Sequence, residues 1–175
     1  MKVSLLFPPT WHPSQPYLSL PSLTGFLTQA GVKNVSQRDL GIELLDKVLT
    51  QSFAHGLYQQ LVEKQRGLER ERTGETGPGS AEQLARVIES LDRFPYLFER
   101  IELAKETLRG EGFYDIEAYR NSLFLIDKWL EVLSSLYFPT RMTVVDNQFG
   151  DYSIYSSKDL IKAIRDEAQN PYISL

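Results

Sequence analysis

Apolar positions open the chain with one period and continue with another. Val3 to Phe7 is a short apolar run broken only by Ser4, the pattern of a strand buried on both faces in a parallel sheet. Pro8 and Pro9 stop it, because neither has an N–H to give to a ladder. An irregular loop follows to Leu18. Ser19 then stands as a helix cap, with Pro21 in the first turn, where a missing N–H costs nothing. Leu20, Leu23, Leu27 and Ala30 share one helical face, and Gly31 marks the C-terminal end. Val32 to Arg38 reads as a second strand. Strand, helix and strand in this order open a parallel α/β sheet. Ligands of such sheets bind beyond the carboxyl ends of the strands, where the loop after Phe7 lies.

The period then becomes helical. Asp39 is placed to cap a helix whose apolar positions run Ile42, Leu45, Val48, Leu49, Phe53, Leu57 and Leu61, with a weak point at His55-Gly56. A charged tail leads to Thr73-Gly-Glu-Thr-Gly-Pro-Gly-Ser, a glycine-rich connector. It lacks the Lys-Ser or Lys-Thr ending and the preceding buried strand of a phosphate cradle. Ser80 is read as the next cap, ahead of a stripe of Leu84, Val87, Ile88 and Leu91. Phe94-Pro95 is expected to break or kink that helix. Leu97, Ile101, Ala104 and Leu108 form the following face, closed by Gly110 and Gly112. Asp115 caps the longest pattern: Tyr119, Leu123, Ile126, Leu130, Leu133 and Tyr137 keep three-four spacing, and Leu125, Trp129 and Val132 widen the stripe. A helix so apolar is buried on more than one side, and Pro139 ends it. Met142 to Val145 reads as a short strand, Asp146 to Asp151 as a turn, and Ser157 as the start of a last helix stopped at Asn170-Pro171.

The fold class is therefore α/β: a partial open parallel sheet with a β-α-β start of Rossmann-like type and a large, mostly helical insertion. The boundaries are 1–45 for the α/β start, 46–138 for the insertion and 139–175 for a segment returning to the α/β domain. The insertion is too long and too patterned to be a loop.

Composition narrows the function classes. The 42% hydrophobic and 24% charged shares are those of an ordinary globular chain. A net charge of -4 with no basic cluster argues against nucleic acid. The opening lacks the pattern of a signal peptide, and no apolar run reaches spanning length. The absence of cysteine rules out disulfides and leaves a cytoplasmic protein as the expectation.

The stretch from Phe7 to Thr24 carries Pro8-Pro9, then Pro13-Ser-Gln-Pro-Tyr in the loop and Leu20-Pro-Ser-Leu-Thr in the helix. It resembles the N-terminal cobalamin-binding domain of radical SAM proteins. Asp39-Leu-Gly-Ile-Glu, Tyr137-Phe-Pro-Thr and Asn170-Pro-Tyr resemble later segments of that domain. The resemblance implies a non-catalytic N-terminal segment that binds or positions cobalamin and substrate. A downstream radical SAM domain of the same chain would hold a four-iron, four-sulfur cluster and cleave S-adenosylmethionine. Such a cluster needs thiolate ligands, and this chain has none. The sequence therefore reads as the first part of a longer enzyme, ending at Leu175 inside the α/β domain. An incomplete sheet leaves an open strand edge that invites pairing between chains. The competing reading is a helical interaction module without cofactor, with an exposed apolar face on the 84–137 helices and no pocket beside Pro9.

Cofactor contact is assigned to Pro8, Pro9, Thr10, Trp11, His12, Gln15 and Tyr17. Some cobalamin proteins ligate cobalt through an Asp-x-His-x-x-Gly motif. Here the matching stretch is Thr10-Trp-His12-Pro-Ser-Gln15, so the residue that would orient the imidazole is absent. His12 is read as a loop histidine facing the ligand or partly exposed, and no metal ligand is assigned. Trp11 and Tyr17, with Gln15 and Pro16, either floor a pocket for a flat cofactor or cap the core. Asp39 and Glu43 are four apart, as an acid–base pair would be, but fit a cap and a first-turn acid better. His55 has no partners at metal-site spacing. Asp146, Asn147 and Asp151 lack the alternation and closing Glu of a calcium loop.

Overall fold

The computed structural model describes residues 2–7, 18–71, 78–145, 147–148, 150–153 and 155–174. The chain divides into two compact units, 1–48 and 49–175.

The first unit is a parallel β-α-β motif followed by a helix. Strand β1 (Lys2–Phe7) pairs in parallel with β2 (Asn34–Asp39), Lys2 opposite Asn34 and Phe7 opposite Asp39. The hydroxyls of Ser4 and Ser36 meet across the pair at 2.9 Å. Helix α1 (Ser19–Gln29) joins the strands. Its end has the geometry expected of Gly31: φ is +86°, the Gly31 N–H donates to Thr28 O and the Val32 N–H to Leu27 O. Its start differs from expectation. Ser19 is already helical, and Leu18 stands at the cap with no side-chain hydrogen bond. Asp39 caps α2 (Leu40–Val48), its Oδ1 accepting from the N–H groups of Gly41 and Ile42.

The expected burial of β1 on both faces is corrected. Phe7 is buried, but Leu6 is 57% exposed, and Leu23 and Phe26 on α1 are also exposed. Among the described residues the sheet has only these two strands, with α1 and α2 packed on it, and they leave part of its apolar surface open.

The second unit is mostly helical. Helix α3 (Gln51–Glu71) packs against α4 (Pro78–Phe98), and α5 (Ile101–Arg109) against α6 (Ile116–Ser134), with α4 also against α6. One helix through 42–61 was expected. Instead the break falls at Leu49–Thr50, where the Thr50 hydroxyl accepts from the Phe53 N–H, and His55-Gly56 lies inside α3. Pro95 does not end α4, which continues to Phe98. Burial of Phe94 and Leu97 on either side of Pro95 holds the turn together despite its missing donor. Ser80, expected as a cap, lies inside that helix. Most of the glycine-rich connector lies outside the described residues.

Asp115 caps α6 as the sequence predicts, accepting from the N–H groups of Glu117 and Ala118. The C-terminal half of α6 is buried on several sides: Ile126, Trp129, Leu130, Val132 and Leu133 are all core. After a 3-10 turn (Ser135–Tyr137) and a cis Phe138-Pro139 bond, β3 (Arg141–Met142) pairs antiparallel with β4 (Asn147–Gln148). The segment 139–175, expected to return to the α/β part, belongs to the second unit. Its buried polar groups bond there: the Met142 N–H donates to the Ser134 hydroxyl at 2.7 Å, and the Thr140 hydroxyl to Gln169 O at 2.6 Å. Helix α7 (Ser157–Ala163) is capped by Ser156, and Leu160 and Ile161 on it are exposed. Pro171 opens the short α8 (Pro171–Ser174) rather than stopping a helix. Among the described residues no helix is long and apolar enough to cross a membrane.

Candidate functional site

The loop that the sequence singles out leaves the carboxyl end of β1. Pro8, Pro9, Thr10, Trp11, His12, Gln15 and Tyr17 all lie outside the described residues. Its two anchors are described. On one side Phe7 is buried opposite Asp39. On the other, α1 begins at Ser19, and its Thr24 carries a buried hydroxyl with no hydrogen-bond partner among the described residues. A buried, unpaired hydroxyl costs free energy unless something bonds it.

The remaining candidates of the sequence have structural roles. Asp39 is a cap. Glu43 takes the Arg38 guanidinium in two hydrogen bonds, which hold its carboxyl below the ordinary value. His55 meets Gln51 O through Nδ1 at 2.7 Å and sets its ring edge-on to Phe98. Asn147 belongs to β4, and Asp146 lies outside the described residues. Among the described residues no cluster of histidine, aspartate and glutamate could hold a metal ion.

The structure assembles one polar site that the sequence did not reveal. Between α4 and α6 lies a cleft of about 260 Å³. Arg86, Ser90 and Arg93 line it from α4, Lys128 and Glu131 from α6, and Arg141 from β3. Glu131 is the hub. It accepts from Lys128 at 2.8 and 2.9 Å and from Arg141 at 3.4 Å, and Arg93 lies 3.6 Å away. Arg93 also pairs with Glu89. Arg86 pairs with Glu82 at 2.8 Å and lies over the Phe138 ring, 5.1 Å from its centroid.

Burial pushes the Glu131 carboxyl up, but the hydrogen bonds and charges of Lys128 and Arg141 outweigh it and hold the pKa below the ordinary value. A depressed carboxyl contributes stability above its unfolded pKa, near 4.3, and loses it as pH falls through the folded value. Glu131→Gln is therefore expected to cost on the order of 1 kcal/mol near pH 7. Urea midpoints of the two proteins should converge in acid, below the unfolded carboxyl range. A gap that stays constant to low pH would contradict this role.

The sequence signal for the cleft was present only in part. Arg86, Ser90 and Arg93 fall at four- and three-residue spacing and so share a face of α4. Their meeting with Lys128 and Arg141 depends on the packing of α4 on α6.

The fold and sites define a mixed α/β protein with a small parallel two-stranded sheet and a mostly helical second unit. No protein-family model, curated protein or solved structure matches the chain.

Proposed function

We propose that this chain is the N-terminal, non-catalytic segment of a cobalamin-dependent radical SAM enzyme of the cytoplasm. Its role is to bind or position cobalamin and substrate for a downstream catalytic domain. The observation that carries the reading is the parallel β1–α1–β2 unit, whose first strand delivers the Pro8–Tyr17 loop from its carboxyl end. That is where open α/β sheets bind ligands, and the unit is the start of a Rossmann-like domain in this reading. The Thr24 hydroxyl, without a partner among the described residues, keeps a donor for the 8–17 loop or for a group that the loop binds.

In the loop, Trp11 and Tyr17 offer flat apolar surface, and Thr10, His12 and Gln15 offer hydrogen bonds. Bound cobalamin supplies methyl transfer or radical chemistry, while the protein supplies binding and orientation. The chain has no cysteine to hold an iron–sulfur cluster, so S-adenosylmethionine cleavage belongs to the downstream domain in this reading. The exposed apolar side chains Leu6, Leu23 and Phe26 of the first unit support completion of its sheet by further α/β structure.

The test is to express the complete coding region, add hydroxocobalamin, remove free cofactor and read the visible spectrum. About one cobalamin per chain is expected. Trp11→Ala is expected to weaken binding roughly tenfold through loss of one aromatic contact. Protein that emerges folded but colourless would overturn the reading and favour the helical interaction module.

A further inference from the structure

We propose that the cleft between α4 and α6 binds a small phosphomonoester as its dianion. This site is separate from the cobalamin reading and belongs to the second unit alone. Three observations carry it.

The first is charge. Arg86, Arg93, Lys128 and Arg141 bring four cationic groups to the cleft lining, whereas Glu89 and Glu131 bring two carboxylates. Just outside the lining, Glu82 pairs with Arg86 at 2.8 Å and Asp127 lies 4.0 Å from Lys128, so the four cations are balanced by carboxylates around the rim while their donors converge on the cleft. A phosphomonoester carries a charge of about −1.5 to −2 at neutral pH, and it would take up donors that these cations now give to carboxylates.

The second is an unused hydroxyl. Ser90 is 6% exposed and lines the cleft, yet its side chain makes no hydrogen bond among the described residues. The neighbouring buried serines differ. Ser134 donates to Leu130 O and accepts from the Met142 N–H, and Ser135 donates to Val132 O. Ser90 is the lining serine left with a donor to offer, and phosphate oxygens accept readily.

The third is size and donor geometry. About 260 Å³ is smaller than the usual pocket for a drug-sized ligand. It suits a phosphate with a short organic stub. Guanidinium groups present forked donors suited to phosphate oxygens. Those of Arg93 and Arg141 already approach Glu131 from two elements, at 3.6 and 3.4 Å. An arriving dianion would share these donors with Glu131.

The probe is inorganic phosphate, titrated calorimetrically into the full chain at neutral pH and constant ionic strength, with chloride as the matched control. One saturable site is expected for phosphate and none for chloride. Arg141→Gln and Ser90→Ala should each weaken binding about tenfold. Lys162→Gln, an exposed cation on α7 outside the cleft, should leave it unchanged. Far-UV circular dichroism confirms that each variant is folded. Ser90→Ala removes no charge, so it separates recognition from the ion-pair network if Arg141→Gln unfolds. Three results would overturn the proposal: no saturable phosphate binding, equal binding of chloride, or unchanged affinity in folded Ser90→Ala.

Discussion

Replacing Trp129 by alanine is expected to destabilise the second unit by about 3–5 kcal/mol, the usual cost of truncating a buried aromatic. Trp129 is 0% exposed, and its ring lies 5.4 Å from that of Phe94. It therefore fills the space where α4 meets α6. Truncation removes the transfer free energy of the indole and leaves a cavity that close-packed neighbours fill only in part. Folded domains have about 5–15 kcal/mol in total, so the loss would be a large share. In a chain of this length each kcal/mol corresponds to roughly 2–4 °C in Tm. Urea unfolding followed by circular dichroism measures it. Trp129→Phe keeps a ring in the space and should cost clearly less. If Trp129→Ala shifted stability by under about 1 kcal/mol, the observed burial would not describe the core.

The consequence reaches the cleft. Lys128 and Glu131 flank Trp129 on α6, and Arg93 neighbours Phe94 on α4. The contact that buries Trp129 and Phe94 also brings the two charged stripes together. Loosening it should weaken phosphate binding even where the protein remains folded.

Local chemistry was legible in the sequence and packing was not. The caps at Asp39 and Asp115 and the left-handed Gly31 each rest on a side chain or a φ angle within a few residues. The parallel pairing of β1 with β2 followed from the strand-helix-strand order. The break at Thr50 did not, because the apolar spacing from Ile42 to Leu61 continues across it. The charged cleft was hidden for a different reason. Arg86 and Arg141 are far apart in the chain, and no local pattern marks residues that meet only through packing. Exposure was least legible of all. The stripe on α4 contained both Val87 and Ile88, yet the first is buried and the second exposed. Adjacent positions on a helix point about 100° apart, and only the position of the neighbouring helix decides which one is covered.

A second large expected effect contrasts two leucines that helical spacing already separates, Leu61 on the apolar stripe of α3 and Leu103 off the stripe of α5. Leu61→Ala on α3 should cost about 2–5 kcal/mol, whereas Leu103→Ala on α5 should stay within about 0.5 kcal/mol. Leu61 is 0% exposed and continues the α3 line of Leu57 that faces α4. Beside it the Tyr58 ring meets Phe94 at 5.2 Å, so the two helices are in direct side-chain contact there. Leu103 is 64% exposed, and its neighbours Ile101 and Ala104 take the buried positions of α5. Removing Leu61 opens a cavity in the α3–α4 contact that its neighbours fill only in part. Removing Leu103 deletes a side chain already facing water, and alanine's higher helix propensity offsets part of the loss. Parallel urea titrations of the two variants give the comparison. Equal losses would mean that Leu103 is covered in the folded protein by something beyond the two units, and a small loss at Leu61 would remove the α3–α4 contact from the core.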